Sequence, residues 1–331
     1  MSDCSRIRNH TLRAVVCVCL VLTAAPAGIA SLSTIAVAQP GNQSVQVDVD
    51  PTNLPGNGTQ SDPHKISNAS ELQAIEDDLG ANYTLVNDID ASNTAHWNNG
   101  TGFDPIGAFI GESFTGSFDG RGNTISGLTI RRPAEVDVGL FGGNEGTIKN
   151  VRIKNATISG QLSVGSIAAT SQGIVSDVNV SGTIDGSEQV GRVVGLNQGG
   201  TVTDAFAAGP ITGSGDVGGL VGSNAGAIQN ATASGSVNGN EFVGGLTGFN
   251  SGTIKNVTTS GNTTVSNFIG GLAGSNDGGK IRLATVSGDD VGSAGVGGIV
   301  GDKIGTIQNT TVYGSVSGTN AVGGLAGCSD N

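Results

Sequence analysis

The chain has 331 residues; 57 are glycine and only 4% are aromatic. Glycine at this level without a Gly-X-Y period excludes a collagen-like rod, and the shortage of aromatics argues against a large mixed globular core. The net charge of −12 argues against nucleic acid and anionic membrane as partners.

Residues 1–38 read as an export signal. Arg6, Arg8 and Arg13 precede the apolar run AVVCVCLVLTAA, and AVA at 36–38 has the small-x-small form of a cleavage site. Pro26, Gly28 and Ser31 break the run, so cleavage is favoured over a membrane anchor, and no second long apolar run follows. The predicted mature chain is secreted or held at the cell surface without membrane insertion. Cys4, Cys17 and Cys19 leave with the signal, and Cys328 alone cannot form an internal bridge. Residues 39–62, rich in Pro, Gly, Asn and Asp, read as a flexible lead-in.

Residues 63–135 read as a capping and opening segment. Asn68 and Glu71 form a capping box; Leu72, Ile75 and Leu79 share one helix face and Gly80 supplies the stop. This is the one short N-terminal helix expected. YTLVNDIDAS and FTGSFDGRGNTISGLTI then alternate apolar and polar residues around a DGRGN turn, as short strands do. Trp97, Phe103 and Phe109 read as a plug over the first coil.

Residues 136–331 repeat. A first aliphatic slot holds Leu140, Ile167, Val193, Leu220, Leu246, Leu272, Ile299 and Leu325, at intervals of 26 or 27 residues. A second holds Ile148, Val175, Val202, Ile228, Ile254, Ile281 and Ile307. A third runs Ile158, Ile184, Ile211, Val237, Val265, Val291 and Val316, with slippage near Val265. Three short apolar segments per unit, rich in Gly, Thr, Ser and Val, exclude helical repeats. They predict an all-β fold, a right-handed parallel β-helix of ~26-residue coils. Two residues after the first slot the chain is always small, from Gly142 to Gly327, where a side chain would strike the neighbouring wall. The Asn-x-Gly corner is assigned to left-handed backbone. Asn150, Asp177, Asp204, Asn230, Asn256 and Asn309, with Leu283 in the same column, are expected to stack into a ladder bonding backbone groups at the bend. The last coil is incomplete. It carries Leu325 but none of its later slots, so the expectation is a truncated reading frame or self-association through an uncapped end.

The segment GGLVGSNAGAIQNATASGSVNG resembles the GLUG motif, found in tandem in secreted bacterial and archaeal surface proteins and in non-catalytic parts of some IgA-cleaving peptidases. The likeness covers 138–331 and is best at GGLVG (218–222), GGLTG (244–248) and GGLAG (270–274 and 323–327). GSIAA (165–169) and GRVVG (191–195) depart from it. The resemblance implies a β-helical extracellular surface protein, adhesive or matrix-like, with no catalytic residue. Acidity with only six lysines is similar to secreted proteins of salt-loving archaea.

No zinc-peptidase, nucleophile-elbow or phosphate-loop pattern is present, and no catalytic, cofactor or metal residue is assigned. GSGDVG at 213–218 is a bare Gly-x-Gly-x-x-Gly with no following helix. Asp277, Lys280, Arg282, Asp289 and Asp290 cluster within one coil, and read as a solvated patch rather than a polysaccharide-cleaving site. Asp48 with Asp50, and Asp88 with Asp90, read as solvated strand or turn positions before calcium ligands. Eleven sequons occur after residue 38. Asn42, Asn57, Asn82, Asn99, Asn155, Asn179 and Asn262 are the candidates for N-glycosylation; Asn68 doubles as the helix cap, and Asn230, Asn256 and Asn309 are assigned to the ladder. The expected function is a non-catalytic secreted solenoid, adhesin-like or part of an envelope or matrix, contacting an extracellular polymer or cell-surface protein. The alternative is a carbohydrate-active β-helix enzyme.

Overall fold

The computed structural model describes residues 54–265 and 267–329. The predicted signal, Asn42, Asp48 and Asp50 lie outside the described residues. So does the first part of the lead-in. Its remainder, 54–62, is not loose: Leu54 is buried, Lys65 N donates to Pro55 O at 2.8 Å, and Asn57 N donates to Asp62 O at 3.0 Å.

Stacked coils place each strand beside its counterpart one turn away, so the strands pair in parallel; the antiparallel contact between Gly102 and Ile130 is an isolated bridge. The architecture is an all-β parallel solenoid with three sheets of 18, 8 and 8 strands among the described residues. One coil shows the plan: Val217–Gly218 on the first wall, Val221–Asn224 on the second, Ala227–Ser234 and Val237–Asn238 on the third. The first aliphatic slot closes as expected, each amide donating to the next coil, as Leu220 N to Leu246 O and Leu246 N to Leu272 O, both at 2.9 Å. The second slot pairs in register from Ile148 to Ile307. Both columns are fully buried through Ile281, which makes a dry aliphatic stack the main source of stability in a chain with so few aromatics. The small slot is also as expected. A Cβ at Gly248 would fall on the backbone of Asp216 and Val217 in the coil below. Its φ is ordinary; the requirement is space.

The third slot differs from its prediction. Backbone pairing runs Ile158, Ile184, Ile211, Val237, Thr263, Asp290, Val316. Thr263 and Asp290 are buried, while Val291 is 47% exposed. Hydrophobicity assigned the slot to Val265 and Val291; backbone pairing gives it to Thr263 and Asp290.

The stack begins before residue 136. His64–Ile66 pairs with Asn82–Leu85, which pairs with Ser117–Asp119, which pairs with the 13-residue strand Thr147–Ser159. The helix is shorter than predicted. Ala69–Gln73 is α-helical and Ala74–Asp77 tightens to 3-10. Asn68 Oδ1 accepts from Glu71 N at 3.0 Å, but Glu71 Oε2 reaches back one residue further than a capping box requires, to Ser67 N and Oγ at 2.6 and 2.8 Å. Trp97 and Phe103 are buried and stacked at 6.1 Å, as a plug would be, whereas Phe109 is half-buried. Cys328 is buried and disulfide-bonded, contrary to the expectation of a lone thiol; the other cysteines, Cys4, Cys17 and Cys19, lie outside the described residues. Among the described residues no helix is long and apolar enough to cross a membrane.

Candidate functional site

The long wall bends once per coil, and the bend is made by residues in left-handed backbone. Asn150, Asp177, Asp204, Asn230, Asn256, Leu283 and Asn309 all have φ between 49° and 55°. Asn and Asp tolerate this region, which is why the column is rich in them. Their side chains point outward. The expected ladder therefore exists, but on the surface: Asn256 Nδ2 donates to Asn230 Oδ1 at 2.8 Å, Asn230 Nδ2 to Asp204 Oδ1 at 3.2 Å, and Asn150 Nδ2 to Asp119 Oδ1 at 3.0 Å. It joins side chain to side chain, not side chain to buried backbone, and Asp119 is a rung that the repeat pattern missed.

A second, buried ladder carries the role assigned to the first. Asn197 Nδ2 donates to Asn224 Oδ1 at 2.7 Å, Asn224 Nδ2 to Asn250 Oδ1 at 2.8 Å, and Asn250 Nδ2 to Asn276 Oδ1 at 2.6 Å. Asn276 Nδ2 ends the run on Gly279 O at 3.1 Å. These are the asparagines of the Asn-x-Gly corner. They are extended rather than left-handed, correcting the expectation, and all four are buried. In the same column Asn144 donates to Ser171 Oγ at 3.0 Å, and the interruption at Ser171 leaves Asn197 Oδ1 without a partner.

Beside the outer ladder lies an open groove of about 620 Å³, lined by Asp119, Arg121, Arg152, Asp177, Asn179 and Phe206 among others. Arg152, Asn179 and Phe206 come from consecutive coils in register, so three chemically distinct side chains stand one strand spacing apart. Arg152 Nη1 donates to Gly122 O at 2.5 Å, and Lys149 Nζ lies 3.7 Å from Asp119. Hydrogen bonds from Asn150 and the Arg121 amide, with the Lys149 and Arg121 charges, outweigh burial and hold the Asp119 carboxyl below its usual range. Phe206 is 40% exposed, and its row continues as Thr232, Thr258, Thr285 and Thr311. An aromatic face with cationic and carboxylate neighbours can stack on and hydrogen-bond a polar ligand.

The other singled-out residues disperse. Asp290 is inside and Asp289 outside, where Asp289 Oδ1 accepts from Ser315 N at 3.1 Å, so the Asp277–Asp290 cluster forms no common site. Asp88 and Asp90 are exposed: Asp88 accepts from Thr124 N of a neighbouring coil at 2.8 Å, and Asp90, at the end of the strand Ile89–Asp90, accepts from Ser92 N at 3.0 Å. Among the described residues no group of three or more His, Cys, Asp or Glu is arranged to hold a metal ion. Of the sequons, Asn99, Asn155 and Asn179 are exposed, Asn155 within a bulge of its strand. Asn57 and Asn262 are exposed but engaged, Asn57 Nδ2 with Asp62 at 2.8 Å and Asn262 Oδ1 with Asp289 N at 3.2 Å. Asn82 is half-buried, its Nδ2 on Gly58 O at 3.0 Å. Asn230, Asn256 and Asn309 are exposed, with Thr232 and Thr258 in the same outward strands and Thr311 exposed two residues after Asn309.

Comparison with known proteins agrees with this architecture. A protein from Bacteroides ovatus named as an immunoglobulin A1 protease superposes with a TM-score of 0.61 over 78% of this chain and 86% of its own, at 20% identity, a likeness of fold alone. Halomucin of Haloquadratum walsbyi is 44% identical over 147 residues, which is 42% of this chain but 2% of Halomucin. The family profile of the GLUG motif matches residues 213–238. Those residues, with their Gly-Gly-Leu, buried Asn224 and outward Asn230, are a GLUG motif built as one coil of a parallel β-solenoid.

Proposed function

We propose that this chain is a non-catalytic solenoid of a secreted or cell-surface protein, which meets an extracellular polymer through its outer wall. The observation that carries the reading is the groove at Arg152, Asn179 and Phe206, where an exposed aromatic stands in a row that continues as threonine. Similarity to Halomucin over 147 residues supports an extracellular setting. The exposed sequons at Asn99, Asn155 and Asn309 support a glycosylated surface, with Asn82, Asn230 and Asn256 unmodified because their amides are engaged and Asn179 unmodified because it lines the groove. The dispersal of the Asp277–Asp290 group counts against the carbohydrate-active alternative.

The test is to incubate the protein with a panel of acidic and neutral polysaccharides, measuring retention, new reducing ends and unsaturated products. Retention without product, lost in Phe206→Ala and Arg152→Ala, is the expected result. Turnover of any polysaccharide would replace this reading with the enzymatic one.

A further inference from the structure

The first wall is followed in the later coils by a glycine, at Gly219, Gly245, Gly271 and Gly298, and the slot faces the lumen: a Cβ at Gly219 would lie 3.3 Å from Ala233 Cβ. Two coils break the rule. The slot holds Ser166 and Arg192, adjacent in the stack, with Ser166 N donating to Arg192 O at 3.1 Å. Arg192 is completely buried, as is Ser166. The guanidinium reaches the third wall, its Nη1 donating to Gly219 O at 3.1 Å and its Nη2 to Gly209 O. Those carbonyls are neutral. Among the described residues no carboxylate forms an ion pair with it. Burial alone lowers its pKa, to about 10, so at neutral pH it carries its charge. Two buried polar atoms remain without partners at this level, Arg192 Nε and Ser166 Oγ. Both can donate a hydrogen bond, and they stand on neighbouring coils in one slot.

We propose that Ser166 and Arg192 form an internal binding site for a small monovalent anion of the halide class. A buried unpaired cation is costly and calls for a counter-charge. A halide supplies one negative charge, accepts from both donors, and brings no proton of its own to satisfy. A dicarboxylate or phosphate would bring more charge and more acceptor atoms than one guanidinium and two free donors can serve, and a water molecule would satisfy the two donors without neutralising the guanidinium.

The test uses the whole protein crystallised from sodium bromide. An anomalous peak at hydrogen-bonding distance from Arg192 Nε and Ser166 Oγ is expected. An ordered water there, with no bromide, overturns the proposal, and this readout needs no variant. In solution, at constant sodium and ionic strength with gluconate as the replacement anion, the melting temperature of the wild type should rise by a few degrees for each tenfold increase in bromide. Arg192→Gly, which installs the residue of the later coils, should abolish that dependence; Arg192→Met serves if the glycine variant does not fold. Equal bromide dependence in wild type and both variants would also overturn it.

Discussion

Asp290 occupies a position that six other coils fill with aliphatic residues or threonine, and its carboxyl is 1% exposed. Thr263 Oγ1 donates to its Oδ1, but Oδ2 has no partner. Burial, aided by the neighbouring Asp289, pushes its pKa up to about 7 from 3.8. The folded chain thus holds the proton more tightly than the unfolded chain does. Stability from this group is fully present below about pH 4 and is lost as the pH rises through about 7. The gap between the two values corresponds to about 4 kcal/mol, an upper figure since the site relaxes when it ionises. Asp290→Asn removes the titration; Asp290→Val combined with Thr263→Val restores the aliphatic column and should add about 2–4 kcal/mol at pH 8. Urea unfolding at pH 4.5, 6 and 8 measures this, read as the difference between variants, because Asp216 also titrates near 7 beside Glu188 and Glu241. Equal pH dependence in wild type and Asp290→Asn, or a loss of stability at pH 8 in the double valine variant, would refute the reasoning.

Leu283 stands in left-handed backbone with φ 54° and is 48% exposed, so Leu283→Asn should stabilise by about 0.5–1 kcal/mol in the same unfolding assay. Asn250→Ala, in the buried ladder, should cost about 2–3 kcal/mol, whereas Asn256→Ala, on the surface, should cost less than about 1 kcal/mol; equal losses would mean that the two ladders are not distinguished by burial. Gly248→Val should prevent soluble expression, since no rotamer moves its Cβ off the backbone of Val217. Peptide mapping of the secreted protein should find glycans at Asn155 and none at Asn82; a fully occupied Asn82 would contradict its hydrogen bond to Gly58.

The first two aliphatic columns were legible because branched residues recur at 26 or 27 and nothing competes for those slots. The third was misread at Asp290 because a valine stands next to it, and hydropathy ranks Val291 above an aspartate that backbone pairing has already fixed inside. The two asparagine columns share one period, so periodicity cannot say which faces inward. Charge could have. The outer column admits Asp177, Asp204 and Leu283, while the inner one stays neutral from Asn144 through Ser171 to Asn276 and takes a charge at Lys303 alone, in the coil after the last ladder asparagine. The groove at Phe206 was invisible because its lining comes from three coils whose residues differ, and a search for repeats discards differences. Arg192 was visible as the departure GRVVG, but only the lumen shows what that departure does.

The two amide ladders run in opposite senses. Inside, each asparagine gives its proton toward the next coil; outside, Asn256 gives to Asn230 and Asn230 to Asp204, toward the previous one. A carboxylate receives and has nothing to pass on, so Asp204 is a terminus. Genetic lengthening of such a chain by tandem duplication is therefore not indifferent to which unit is copied. Duplicating the coil of Asn224 and Asn230 inserts a unit that extends both relays without a break. Duplicating the coil of Asp204 would add a second acceptor pair to the one Asp177 and Asp204 already make, so lineages that grow by copying should accumulate the asparagine unit.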